Sequence, residues 1–339
     1  MGESRVRYTR IINEVFKPVL EPLGYKKRKI GFLKYDKEKQ LIKGFNVKAV
    51  LGVQFELFGD VFSVVAMDPS VDLCEADIDK YYGFGRYRLA DFFNDEPQRF
   101  WYRYLDNEEL RAARYTEELF RKHMQIAVIW LNDTLLSCIE RVEDPVKCYL
   151  FNKNMYYASA CYSDCTPRLI GQKHDPVTEN YADYYKQYAS VQRTFFGVAC
   201  VVANERLLWE ALNAREYGEA LMYAIGCRNR RVAKWWYEEE LKEVNTFTRM
   251  LSLNTWEEEL SYRKQHPEIE EQEEAIREKY SRDSYIPSAA EINTCEDESI
   301  HFYSTIIDLL ERKDYATIEA IVEERKARNI EVCEKYFGK

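Results

Sequence analysis

Four consecutive cations near the start of the chain are its most concentrated chemical feature. They are Lys26, Lys27, Arg28 and Lys29, and Lys34 follows on the next predicted strand. Ammonium and guanidinium groups at this density can neutralise phosphates. Lysine is also a common means of keeping an edge strand from pairing with other chains. We favour the edge-strand interpretation and keep nucleic-acid binding through this basic face as an alternative.

A second candidate binding surface combines arginine with aromatic side chains. Its residues are Arg86, Arg88, Arg99, Trp101 and Tyr102. Arginine and tryptophan are favoured where a protein partner docks. A structural role beneath a long loop is the competing interpretation. The neighbouring YYGFG sequence predicts turns, because it lacks the third glycine of a dinucleotide fingerprint.

Motifs for catalysis and metal binding are weak. Cys161, Cys165 and His174 do not have the spacing of a zinc site, and the spacing gives no reason to expect a cofactor or a metal. An enzyme is therefore the less favoured reading. A metal-dependent nuclease or hydrolase stays as an alternative, because acidic residues distant in sequence can converge in a fold.

The composition predicts a globular protein of the cytoplasm. The chain has 339 residues, of which 46% are hydrophobic, and 26 are tyrosine, a residue that suits interfaces. The N-terminus lacks the apolar run of a signal peptide, and no stretch of about 20 apolar residues could span a membrane. The 9 cysteines are an odd number, so we expect reduced thiols.

Charge is distributed unevenly along the chain. Residues 1–60 contain 13 Lys and Arg against 7 Asp and Glu, a net charge of +6, which leaves −15 for the remainder of a chain whose total is −9. Such asymmetry can orient a partner, but the acidic total disfavours a general nucleic-acid binder.

The periodicity of the first half predicts an α+β domain over residues 1–144. A helix from about Ser4 ends at Gly24, and a short strand surrounds Phe32. Apolar and polar residues then alternate over 45–57, which predicts one long strand bent at Gly52. A turn is expected at Gly59, followed by another strand. The fold class is thus an N-terminal helix packed on a meandering antiparallel sheet.

The second half, residues 145–339, predicts an all-helical domain. A helix over 115–139, which Asn132 to Thr134 could break, precedes this domain. Within the domain, helices are expected over 203–213, 216–226 and 228–251. Two segments resemble each other: LNAREYGEALMYAIGCRNRRV (212–232) and LERKDYATIEAIVEERKARNI (310–330). They align Tyr217 with Tyr315 and predict two copies of a helical hairpin.

The opening of the chain resembles an uncharacterised bacterial family of small domains. The residues that carry the resemblance are Leu20, Pro22, Leu23, Gly24, Tyr25, Lys26, Lys27 and Phe32, with Gly85, Arg86, Leu89, Phe100 and Trp101 further on. The resemblance covers at most residues 1–143. It implies an α+β fold and no known activity. Some such families accompany toxin or phage-defence genes, which implies a binding or neutralising role.

These observations together predict a macromolecular-binding protein. We expect a protein partner first, in an immunity-like or defence-associated role, and nucleic acid second. We expect no membrane association.

Overall fold

The fold begins with a helix and an antiparallel meander. The structure, a computed structural model, describes residues 2–28, 31–50, 54–67, 87–88, 117–160, 175–180, 204–250, 256–281 and 285–338. Helix α1 is Gly2–Leu20, and the strands are β1 (Lys26–Lys27), β2 (Phe32–Asp36), β3 (Leu41–Val50), β4 (Gln54–Ser63) and β5 (Tyr87–Arg88). The sheet order is β1-β2-β3-β4-β5, and every pairing is antiparallel.

Helices make up the regular structure that follows. They are α2 (Glu117–Leu131), a π-helical turn Asn132–Leu136, α3 (Ser137–Glu140), α4 (Pro145–Ala160), α5 (Glu205–Asn213), α6 (Tyr217–Met250), α7 (Trp256–Gln265), α8 (Pro267–Ser281), α9 (Ala289–Thr294), α10 (Glu298–Glu311) and α11 (Tyr315–Phe337). Within the described ranges, no strand follows β5. The predicted fold class, an α+β arrangement followed by helices, is confirmed.

Two details of the strand prediction are wrong. The alternation over 45–57 belongs to a hairpin, because Val50 of β3 pairs with Gln54 of β4. Two strands joined by a tight hairpin preserve a period of two, so alternation alone could not separate them from one long strand. Gly59 is not in a turn but within β4, where it pairs with Phe45. Gly52 lies outside the described residues.

Helix boundaries agree only in part with local sequence signals. Gly24 ends the first helical segment with φ of 89°, a left-handed conformation that glycine adopts without strain. At Asn132 to Thr134, where a break was predicted, the chain instead stays helical through a π-helical turn, in which the Thr134 hydroxyl donates to the Trp130 carbonyl at 2.6 Å. Similarly, α6 is one continuous helix through Cys227, whereas two helices were expected.

The chain divides into two compact units. One comprises residues 1–201, 209–216 and 319–339, and the other comprises residues 202–208 and 217–318. The sequence-based boundary between residues 144 and 145 stays a prediction.

Both faces of the sheet are buried within the first unit. On one face, Phe32 stacks with Phe16 of α1 at 6.4 Å between ring centroids, and Phe45 contacts Tyr25. The opposite face contributes Leu33, Ile42 and Phe62 to an apolar cluster with Val332 and Cys333 of α11. Residues near the end of the chain therefore complete the core around strands near its start.

Buried polar side chains hold the segment that follows β4. We call Glu210, Arg325 and Asn329 the polar latch. The Arg325 guanidinium donates to the Val65 carbonyl at 2.7 Å and to that of Met67, while Asn329 Nδ2 donates to the Val64 carbonyl at 2.7 Å. Glu210 accepts from the Ser63 backbone N–H at 2.8 Å. Backbone groups that the sheet does not pair are thus satisfied by side chains from α5 and α11.

The two similar segments have the same turn. Arg215 and Lys313 occupy equivalent positions and have φ of 63° and 58°. The Arg215 N–H donates to the Leu212 carbonyl at 3.1 Å, as does the Lys313 N–H to that of Leu310 at 3.1 Å. Both helices therefore end in a left-handed residue of the same hydrogen-bonded type. The aligned Tyr217 and Tyr315 rings stack at 4.1 Å with 6° between their planes.

Gly31 is expected to tolerate no side chain. A Cβ there would lie 2.3 Å from the Phe45 carbonyl oxygen, which belongs to the backbone of β3. Gly31→Ala must displace that strand, so we expect a loss of about 1–3 kcal/mol in the free energy of unfolding, measured by urea denaturation. Gly218→Ala is the control, because a Cβ there meets nothing within 4 Å. Equal stability of the two variants would contradict this reading.

Arg325 is expected to contribute strongly to stability. Arg325→Leu removes the donors to two carbonyl oxygens in a site where Arg325 is 8% exposed, so we expect a loss of about 2–4 kcal/mol. Arg328→Leu, on the same helix, removes a side chain that is 48% exposed and paired with Glu324, and should cost about 0.5 kcal/mol or less. Thermal and urea unfolding would measure both. A mild effect at Arg325 would refute the latch.

Candidate ligand pocket

The four-cation run separates into side chains with different roles. The Lys27 ammonium lies 5.2 Å from the centroid of the Phe32 ring, and the Arg28 guanidinium lies 5.2 Å from that of Tyr336. Both cations are therefore packed on aromatic rings, an arrangement that stabilises them in place. Lys26 is exposed. Lys29 lies outside the described residues.

A cavity of about 370 Å³ opens where β1 and β2 meet the end of α11. Its lining includes three lysines, Lys26, Lys34 and Lys37, and one carboxylate, Glu334. Tyr35 and Phe337 supply apolar surface, the buried Leu33 lies behind it, and Gly24 and Gly338 complete the lining. A volume of this size with mixed apolar and charged surface is typical of ligand pockets.

One carboxylate beside the cavity interacts with two ammonium groups. Glu140, at the end of α3, accepts from Lys34 Nζ at 2.8 Å, and Lys43 Nζ lies 4.0 Å from its other oxygen. Lys43 Nζ also donates to the Glu140 carbonyl at 3.3 Å, and Tyr25 donates its hydroxyl proton to the carboxylate. The four side chains form what we call the Glu140 cluster.

Burial and charge shift the ionisation of this cluster. Burial lowers the pKa of Lys43, whose side chain is 1% exposed, although the charge of Glu140 opposes that shift. Partial burial opposes ionisation of Glu140, but hydrogen bonds from Lys34 and Tyr25, with the charge of Lys43, hold its pKa below the ordinary value. Burial, and then the charge of Glu140, raises the pKa of Tyr25 well above its ordinary value. Glu140 is therefore an anion and Tyr25 a neutral donor at neutral pH.

The remaining predicted site residues are not brought to this pocket by the described part of the fold. Arg88 lies on β5, which pairs with β4 at the other end of the sheet order. Arg86, Arg99, Trp101 and Tyr102 lie outside the described residues, as do Cys161, Cys165 and His174. Among the residues that the structure does describe, no group of three or more His, Cys, Asp or Glu side chains could hold a metal ion.

The sequence did not indicate which helical residues lie next to the lysines of the pocket. Lys26 and Lys34 were singled out as cations, but Glu140, Glu334 and Phe337 gave no sequence signal because they lie in ordinary helical patterns. Only the fold brings Glu140 within 2.8 Å of Lys34, across 106 positions of sequence.

Comparison with known proteins identifies no relative. The sequence matches no family model, and neither a curated protein nor a solved structure is significantly similar to it. The resemblance to the bacterial family stays a prediction. None of the helices that the structure describes is long and apolar enough to cross a membrane.

Stability should depend on pH through Glu140. Because its pKa is held below the ordinary value of 4.5, the cluster stabilises the fold fully above that pH, and the contribution is lost as the pH falls through the depressed value. Glu140→Gln should cost about 1–3 kcal/mol at neutral pH and less in acid. Urea unfolding across acidic to neutral pH measures the difference. Glu143→Gln, at a side chain that is 54% exposed, is the control. A pH-independent difference would contradict this assignment.

Proposed function

We propose that this chain is a binding protein that holds a protein partner at the cavity between β1, β2 and the end of α11. The observation that carries the proposal is the lining, in which the half-buried aromatic side chains Tyr35 and Phe337 lie beside three lysines. Apolar surface with a charged rim is the composition through which proteins recognise each other. An immunity-like or defence-associated role is the special case in which the partner is a toxin or a phage component.

The adjoining strand edge supports the same proposal. β1 pairs only with Phe32 and Leu33 of β2, whereas β3 pairs with all five residues of β2. Within the described sheet, residues 34–36 of β2 therefore have a strand on one side. An extended peptide can add to such an edge through main-chain hydrogen bonds while its side chains enter an adjacent pocket.

Nucleic acid is the weaker candidate. A phosphate backbone is bound by several free cations along one track. Here Lys27 and Arg28 are packed over aromatic rings, and Lys34 and Lys37 have carboxylate partners, Glu140 and Glu334. The acidic total charge of −9 also works against attraction of a polyanion.

Capture from a lysate of cells in which the gene is native tests the proposal. The full-length wild type is compared with the double variant Lys26→Glu and Lys37→Glu, which reverses two charges of the cavity lining. The control is Lys17→Glu with Lys234→Glu, the same change of charge at side chains that are 44% and 61% exposed and do not line the cavity. Photo-crosslinking from position 37, where the lysine is 73% exposed, identifies what occupies the cavity.

We expect a protein that crosslinks from position 37, is retained by the wild type and the control, and is lost with the cavity variant. Equal capture by all three forms, or no crosslinked protein, would refute the proposal. Capture that disappears after nuclease treatment of the lysate would replace it with nucleic-acid binding.

A further inference from the structure

The charges around the cavity do not balance. The Glu140 carboxylate is shared by the ammonium groups of Lys34, at 2.8 Å, and Lys43, at 4.0 Å. At the rim, Lys37 pairs with Glu334 at 2.5 Å, and Lys26 forms no ion pair with any residue in the described part of the chain. Four lysines thus face two carboxylates, and the low accessibility of Lys43 keeps its charge from being screened by water.

Lys34 connects the Glu140 cluster with the cavity. Its ammonium donates to Glu140, lies 5.4 Å from the centroid of the Tyr25 ring, and belongs to a side chain that lines the cavity. An ammonium group has three N–H donors. The two contacts fix its position, and donors are left for an acceptor that enters the cavity.

The lining favours a carboxylate over a phosphate. The three lysines alone do not distinguish the two anions, because a lysine ammonium acts as a point charge towards either. Glu334 also lies in the lining and would repel a dianion more strongly than a monoanion. The half-buried rings of Tyr35 and Phe337 leave an apolar surface that a small inorganic anion would not cover.

We infer that the cavity binds an acidic peptide segment, in which a carboxylate accepts from Lys34 and an adjacent aromatic or large aliphatic side chain covers the half-buried rings of Tyr35 and Phe337. The inference rests on the proposed function and names the chemistry of the segment that the partner presents. Lys34 selects the carboxylate, while Lys26 and Lys37 attract it electrostatically at the rim.

Selection of displayed random peptides on the immobilised full-length protein tests the inference without knowledge of the partner. We expect enrichment of peptides with Asp or Glu beside Trp, Phe or Leu. Enriched peptides are then synthesised with a fluorescent label, and their affinity is measured by anisotropy. Inorganic phosphate and a short single-stranded DNA serve as competitors and should not displace them.

Variants of Lys34 assign the role of the ammonium. Lys34→Gln should weaken binding of the selected peptides about tenfold, as expected for a hydrogen bond between charged groups. Lys34→Arg keeps the charge and should retain most of the affinity. Lys17→Gln, at a side chain that does not line the cavity, should bind as the wild type does. Thermal unfolding of each variant confirms that it is folded, and Lys26→Gln with Lys37→Gln, at exposed positions, tests the cavity without touching Glu140.

The outcomes separate the two proposals. Acidic peptides whose affinity depends on Lys34 support the inference. Selected peptides that are neutral or basic, yet lose affinity with the rim variant, overturn the inference and leave the proposed function intact. Failure to enrich any peptide that depends on the cavity overturns both. Displacement by phosphate or DNA also overturns the inference.

Discussion

The insertion of Arg325 and Asn329 against the carbonyl groups after β4 is the interaction on which the first unit depends. Val65 and Met67 leave the sheet with carbonyls that Arg325 satisfies, and the Val64 carbonyl accepts from Asn329 as well as from the Met67 N–H. Burying such a carbonyl without a donor would cost about 1–3 kcal/mol. The same contact fixes α11 along the sheet. C-terminal to Asn329, α11 contributes Val332 and Cys333 to the apolar cluster. It then contributes Glu334 and Phe337 to the lining of the cavity. The polar latch therefore sets the position of a cavity wall to which it contributes no side chain.

Glu140 has a comparable role on the other face of the sheet. Lys34 and Lys43 are cross-strand neighbours on β2 and β3, and on the face where Phe32 and Phe45 are buried they would be two unpaired cations. A single carboxylate at the end of α3 compensates both, with Tyr25 completing its hydrogen bonds. Buried ion pairs contribute little net stability but strongly penalise any arrangement that separates the charges. We attribute to this cluster the register of α3 on the sheet.

Local features of the fold could be predicted from the sequence, and convergent ones could not. The glycine stop at Gly24 and the antiparallel character of the sheet each follow from patterns within a few residues, whereas the break predicted at Asn132 to Thr134 is a π-helical turn through which the helix continues. The hairpin of β3 and β4 was predicted as one long strand, because apolar and polar residues alternate with the same period on both sides of its tight turn. Only the lysines around the cavity could be identified from the sequence, because Lys26 and Lys34 form part of a basic surface. Glu140, Glu334 and Phe337 approach them only through packing. Single-sequence patterns carry no information on contacts across 100 to 300 positions.

The burial of Leu33, Ile42 and Phe62 under Val332 has a consequence for biosynthesis. The hairpins of the sheet are local in sequence and can form while the chain is still being translated, since chain segments fold as they emerge from the ribosome. Their second apolar face must then wait for α11, nearly 300 residues later. Until α11 has packed there, that face of the sheet lacks its apolar cover, and the cavity lacks the wall formed by Glu334 and Phe337. The cavity therefore forms only after α11 has been synthesised, so its assembly follows that of the sheet in time.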